Sequence, residues 1–208
     1  MRILFFGDSI TDGSRWRDDD SNMGFAYPFL LKAELGYNEP EKYEFFNRGI
    51  GGNRIVDLYA RLKKDVLNLK PDVMSILCGV NDVWHDYGDA PNGVDEEKYY
   101  KIYDMMIAEI KEALPNIKIM IMEPFLLPGT GVDEWGYEEF RRKVEACAAK
   151  AKLIAEKYNL PFIPLQAGFD ELAKTAPNSY WLRDGVHPTP MGHVFVKNQW
   201  LKAFEAIK

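Results

Sequence analysis

The chain has 208 residues, 47% of them hydrophobic and 28% charged, with a formal net charge of -6. Its apolar runs fall short of the roughly 20 residues that span a bilayer, so the sequence describes a globular chain with no membrane partner. An acidic balance offers no basic field to a phosphate backbone, which sets nucleic acid aside as well.

The first element follows Met1 directly. Ile3 to Phe6 is an apolar run that stops at Gly7 and delivers Asp8 and Ser9, the pattern of a buried strand ending in a turn. Further apolar runs occur at Tyr43 to Phe46, Val73 to Cys78, Ile117 to Met122 and Phe162 to Leu165, separated by amphipathic stretches. Strands alternating with helices predict an α/β sandwich around a five-stranded parallel sheet, with helices on both faces. Ile55, Leu58, Leu62, Val66 and Leu69 mark one helix, with Asn53 as its cap and Pro71 as its stop. Tyr99, Ile102, Met106 and Ile110 mark a second over 95–114, and residues 136–158 form a third ahead of Pro161. A last helix begins at Pro190, a proline suited to a first helical turn.

No linker or repeat breaks this alternation, so residues 1–208 are expected to form one domain. A strand starting at Met1 leaves no room for a leader, and the expected location is the cytoplasm. Cys78 and Cys147 are isolated and read as small buried hydrophobes. Two segments lack periodicity, Asp12 to Gly24 and Pro124 to Trp135. Both follow strands, on the side where such sheets bind ligands, and are expected to wall a pocket. The acidic run Asp18-Asp19-Asp20 lacks the spacing and glycine of a calcium loop and reads as solvated surface.

Four strand ends carry candidate chemistry. Ser9 is either a nucleophile or a helix cap. Asn47-Arg48-Gly49-Ile50-Gly51-Gly52-Asn53 allows close backbone approach and outward amides, which suits either an oxyanion site or a tight turn; it lacks the spacing of a phosphate loop. Asn81, in Cys78-Gly79-Val80-Asn81-Asp82, could donate its amide into the same crevice or simply begin a turn. A base must come from His85, His187 or His193. Asp184 precedes His187 by three residues, a spacing that lets one turn hold the imidazole tautomer with a carboxylate. A metal held by Asp184, His187 and His193 has no cysteine or second ligand cluster in its support.

Together these blocks resemble the SGNH hydrolases, the GDSL esterase and lipase family. Gly7-Asp8-Ser9-Ile10-Thr11 resembles its first block, Asn47 to Gly52 its second, Gly79-Val80-Asn81-Asp82 its third and Asp184-Gly185-Val186-His187-Pro188 its last. The resemblance implies a three-layer α/β/α fold of flavodoxin-like type. It further implies Ser9 as nucleophile, His187 as general base and acid, and Asp184 as its orienting carboxylate. The oxyanion hole would be the backbone amides of Ser9 and Gly52 with the Asn81 side chain. Ser9 lies outside the Gly-x-Ser-x-Gly pattern of ordinary α/β-hydrolases.

Residues 53–66 and 71–84, with Glu123-Pro124-Phe125, are similar to bacterial acetyl xylan esterases and related carbohydrate O-deacetylases within that family. The implied activity is removal of acetyl groups from sugar hydroxyls without metal or organic cofactor, on a small acylated saccharide. Rival readings are a broad short-chain acylesterase, thioesterase or lysophospholipase, and a catalytically silent carbohydrate-binding protein. Trp84, Trp181, Asp8 and Arg54 are the candidates for substrate contacts, the tryptophans because flat rings stack on sugars. Each of Trp16, Trp84, Trp135 and Trp181 could equally pack beneath its own loop. Tyr99, Tyr100 and Trp200 are candidate contacts of a homo-oligomer.

Overall fold

A computed structural model describes residues 1–208. Five parallel strands form one sheet: β1 (Arg2–Gly7), β2 (Glu44–Gly49), β3 (Val73–Leu77), β4 (Lys118–Met122) and β5 (Phe162–Ile163), in the order β2-β1-β3-β4-β5. This is the expected sheet, except that β5 is cut to two residues between Pro161 and Pro164. The strand order reverses direction on either side of β1, which places the opening for ligands at the carboxyl end of that strand.

Register makes this placement sharp. Gly7 pairs with Gly49 on one side and with Leu77 on the other, so β1, β2 and β3 end side by side. Their three following turns therefore emerge together. The sheet is covered by two helical layers. On one face α2 (Tyr27–Asn38) packs with α9 (Pro190–Glu205); on the other, α3 (Ile55–Ala60) packs with α5 (Glu96–Ala113), which packs with α6 (Tyr137–Tyr158). The short helices α1 (Ser9–Asp12), α4 (Val80–Trp84), α7 (Gln166–Leu172) and α8 (Asn178–Trp181) complete the chain. No helix is long and apolar enough to cross a membrane.

Several expectations are corrected. The helix expected after Asn53 begins at Ile55, where the Asp57 carboxylate accepts the Arg54 amide at 2.9 Å, and it passes into a π-helical turn at Lys63–Leu67 rather than running straight to Pro71. Asn53 instead accepts a hydrogen bond from Arg61 Nε at 2.8 Å. Tyr99 and Trp200 are fully buried and belong to the core, so neither can face a second copy of the chain. Trp200 lies 5.5 Å from Phe5 and stacks on Phe204, in the layer between β1 and α9. Cys78 and Cys147 are buried free thiols, as expected.

The close approach of α1 to β2 depends on a missing side chain. A β-carbon at Gly49 would lie 2.6 Å from Asp12 Cα and from the Thr11 carbonyl carbon, both of them backbone. Gly49→Ala is therefore expected to destabilise the protein by about 1–3 kcal/mol, measured by urea unfolding, because backbone cannot step aside as a flexible side chain would.

Candidate active site

The site begins with the turn after β1. Asp8 caps α1 by accepting the Ile10 amide on Oδ1 at 2.9 Å, which makes Ser9 the first helical residue and not the cap. Ser9 Oγ lies 2.9 Å from His187 Nε2. His187 Nδ1 lies 2.7 Å from Asp184 Oδ2, while Asp184 Oδ1 accepts the Val186 and His187 amides at 3.0 and 2.8 Å. With the ring proton on Nδ1, the serine hydroxyl donates to Nε2 and the carboxylate fixes that tautomer. Burial works to raise the Asp184 carboxyl, but the His187 ring and the two amides outweigh it and hold the group well below the usual carboxylate range.

Residues 124–135 serve this turn and not the crevice wall expected of them. The Leu127 amide donates to Gly185 O and the Gly131 amide to Asp184 O, each at 2.8 Å. The segment thus buttresses the Asp184–His187 turn from behind. The segment Asp12 to Gly24 does meet the expectation, since Asp12, Gly13 and Ser14 line a crevice of about 430 Å³ with Ser9 and His187, and Phe25 just beyond it joins them.

The second block closes the other side of Ser9. A β-carbon on Gly51 would lie 3.7 Å from Ser9 Cβ, and the Gly51 amide donates to Asp12 Oδ2 at 3.0 Å. Gly52 has φ +81°, a conformation that glycine adopts without strain, and its amide has no protein acceptor. From the third block, Asn81 is buried on α4 and gives one amide hydrogen to Asn53 O at 3.2 Å, leaving the second free. Gly52 and Asn81 thus each keep an unused donor on the turns that follow β2 and β3.

Three of the substrate-contact candidates are corrected. Asp8 is only 1% exposed and lies beneath the turn, where it shapes α1. Arg54 turns away to Asp57 and the Asn92 carbonyl, because the carboxylate three residues on accepts from both its backbone amide and its guanidinium. Trp181 packs edge-on against Tyr180, its indole nitrogen buried, and it lines no part of the crevice. Trp84 stays near the reacting groups, its ring 6.2 Å from that of His187 and edge-on to Phe140. Trp16, at 66% exposed, packs beneath nothing.

Sequence reasoning missed the residues that hold the turns together. Arg61 donates to Gly7 O, Arg48 O, Asn53 Oδ1 and Asp65 Oδ2, with its guanidinium 4.4 Å from the Phe6 ring. Only its place about two helical turns after the glycine-rich block could have pointed to it. Asp82 was visible only as a letter of the third block; it is buried, accepting the Ile55 amide at 2.9 Å and the Cys78 thiol at 3.5 Å.

With this geometry in place, likeness to known proteins can be weighed. A model of the GDSL-like lipase/acylhydrolase family matches residues 5–195. The chain belongs to that family. It is accordingly a carboxylic ester hydrolase. An acetylxylan esterase from Geobacillus stearothermophilus is 34% identical, over 97% of this chain and 92% of its own. A crystal structure of an acetylxylan esterase from that organism superposes with a TM-score of 0.85 over 97% of this chain and 93% of that one, at 33% identity. An alpha/beta hydrolase enzyme, LAE5, from the metagenome of Lake Arreo, Spain, has a TM-score of 0.87 and 26% identity, over 100% of this chain and 96% of that one.

Burial pushes the Asp8 carboxyl up from 3.8 to about 7, against the Ile10 amide and the charges of His187 and Arg61, and its Oδ2 has no partner. Between those values the folded protein holds a proton that the unfolded chain has released, so this group lowers stability as pH rises from about 4 to 7. Asp8→Asn keeps the cap and cannot ionise. Thermal unfolding from pH 5 to 8 should show the wild type losing stability relative to the Asn variant as pH rises; Asp82, also raised to about 7 by burial, keeps its own slope in both proteins.

Proposed function

We propose that the chain is a serine esterase that removes acetyl groups from carbohydrate hydroxyls. The hydrogen-bonded series Ser9 Oγ, His187 Nε2, His187 Nδ1, Asp184 Oδ2 carries this reading, with links of 2.9 and 2.7 Å. In the proposed reaction Ser9 Oγ attacks the ester carbonyl carbon as His187 Nε2 takes the hydroxyl proton. The carbonyl π electrons move to oxygen, where the Ser9 and Gly52 amides and Asn81 Nδ2 receive the charge. Collapse breaks the bond to the sugar oxygen, which leaves with the proton from His187. Water, deprotonated by the same nitrogen, then releases acetate and restores Ser9. Asp184 keeps its charge throughout and stabilises the imidazolium.

The carbohydrate part of the proposal draws on likeness to the Geobacillus stearothermophilus acetylxylan esterase, which extends over nearly the whole of both chains. A crevice of about 430 Å³ lined mainly by polar residues suits a small acylated saccharide better than a long acyl chain. One continuous core of 50 buried residues supports treating the chain as a single catalytic domain.

Acetylated xylo-oligosaccharides should be hydrolysed with a higher kcat/KM than butyryl or longer esters and thioesters; a preference for long acyl chains would overturn the substrate assignment. A fluorophosphonate should label Ser9 in folded protein, and absence of that adduct by mass spectrometry would overturn the mechanism. Asn81→Ala should lower kcat by about 10²- to 10³-fold while the thermal midpoint stays close to that of the wild type.

A further inference from the structure

The fourth residue of α9, His193, takes no part in the reaction just described. It is 8% exposed, and its Nδ1 accepts the Tyr27 amide at 3.3 Å. That bond puts the ring proton on Nε2. No protein group accepts from Nε2, and the ring lines the crevice that also contains Ser9 and His187. Burial, followed by the charge on His187, pulls His193 down from 6.5 to about 4. The ring therefore stays neutral at physiological pH, including when its neighbour His187 takes up a proton. Thr189 and Pro190 fix the first turn of α9, so the donor is carried on a rigid element.

The crevice has a definite side. Gly52 and Asn81 do not line it, whereas Pro188 and Pro190 do, together with His187. A leaving alcohol must lie against the nitrogen that protonates it, which is His187 Nε2. The alcohol half of the ester therefore occupies this crevice, with the 80%-exposed Phe25 and Ser14 among its walls.

We infer that His193 is a specificity-determining residue: its Nε2–H donates to a hydroxyl or ring oxygen of the leaving alcohol and so selects esters of polyhydroxy alcohols. The inference rests on the esterase reading above and adds to it the group that recognises the alcohol. A neutral hydrogen bond of this kind corresponds to about 3- to 10-fold in kcat/KM.

Two variants separate this role from a structural one. In His193→Asn the side-chain oxygen can replace Nδ1 toward Tyr27, but nothing reaches the place of Nε2. In His193→Gln the amide nitrogen can replace Nε2 while the acceptor for Tyr27 is lost. The readout is the ratio of kcat/KM on an acetylated methyl xyloside, and on glycerol monoacetate, to that on phenyl acetate, whose leaving group carries no second oxygen. The ratio should fall by about 3- to 10-fold in His193→Asn, mainly through KM, and be largely kept in His193→Gln. An unchanged ratio in His193→Asn, or a fall in His193→Gln alone, overturns the inference and leaves the esterase reading standing. Wild-type turnover of glycerol monoacetate but not of the xyloside overturns the carbohydrate assignment, and the glycerol ratio still decides the role of His193. If wild type hydrolyses phenyl acetate only, both fall.

Discussion

Three strands ending at one level bring the turns after them into one crowded polar space, where two side chains tie the backbone together. Asn47 Nδ2 donates to Thr11 O at 2.8 Å and to Met23 O at 3.0 Å, while its Oδ1 accepts the Gly49 amide at 2.8 Å. Arg61 takes Gly7 O and Arg48 O from the other side. Buried backbone groups left without partners are costly, so these contacts decide whether the turns can sit together at all. Ser9, Gly51 and Gly52 hang from the scaffold that results.

The charges around the serine are arranged by depth. Asp184 is ionised and saturated with donors. Asp8 and Asp82 lie deeper and are pushed toward neutrality by burial, so the floor of the site contributes less negative potential at neutral pH than two ordinary aspartates would. A weakly negative floor suits the oxyanion of the proposed reaction. Asp12 is the exception near the rim, and it is matched by Arg17 at 2.7 Å and by the Gly51 amide.

The sheet was readable because its strands are short apolar runs bounded by glycine or proline, and the long helices because Asp95 or a clean apolar stripe marks them. α2 was not, since Ala26 gives no side-chain cap and Phe29 and Tyr37 face solvent, which blurs the periodicity. At the site, the contact of Asp184 with His187 was legible from a spacing of three, whereas the meeting of Ser9 with His187 across 178 residues was legible only through the likeness of the four blocks to one family. Asp8 and Arg54 were misplaced for another reason. Whether a charged side chain turns to a ligand or to its own helix terminus depends on the backbone donors it meets, and the sequence does not display those. Trp181 fails similarly: a loop tryptophan looks available until its neighbour Tyr180 is seen against it.

The hydrogen bond between Ser9 and His187 joins positions 178 residues apart. The turn that carries Ser9 is shaped by β1 and its two neighbours, whereas the hydroxyl meets a ring nitrogen only through the segment before α9. Whatever loosens the seat of α9 against the sheet therefore separates Ser9 from His187 without disturbing the turn that carries the serine.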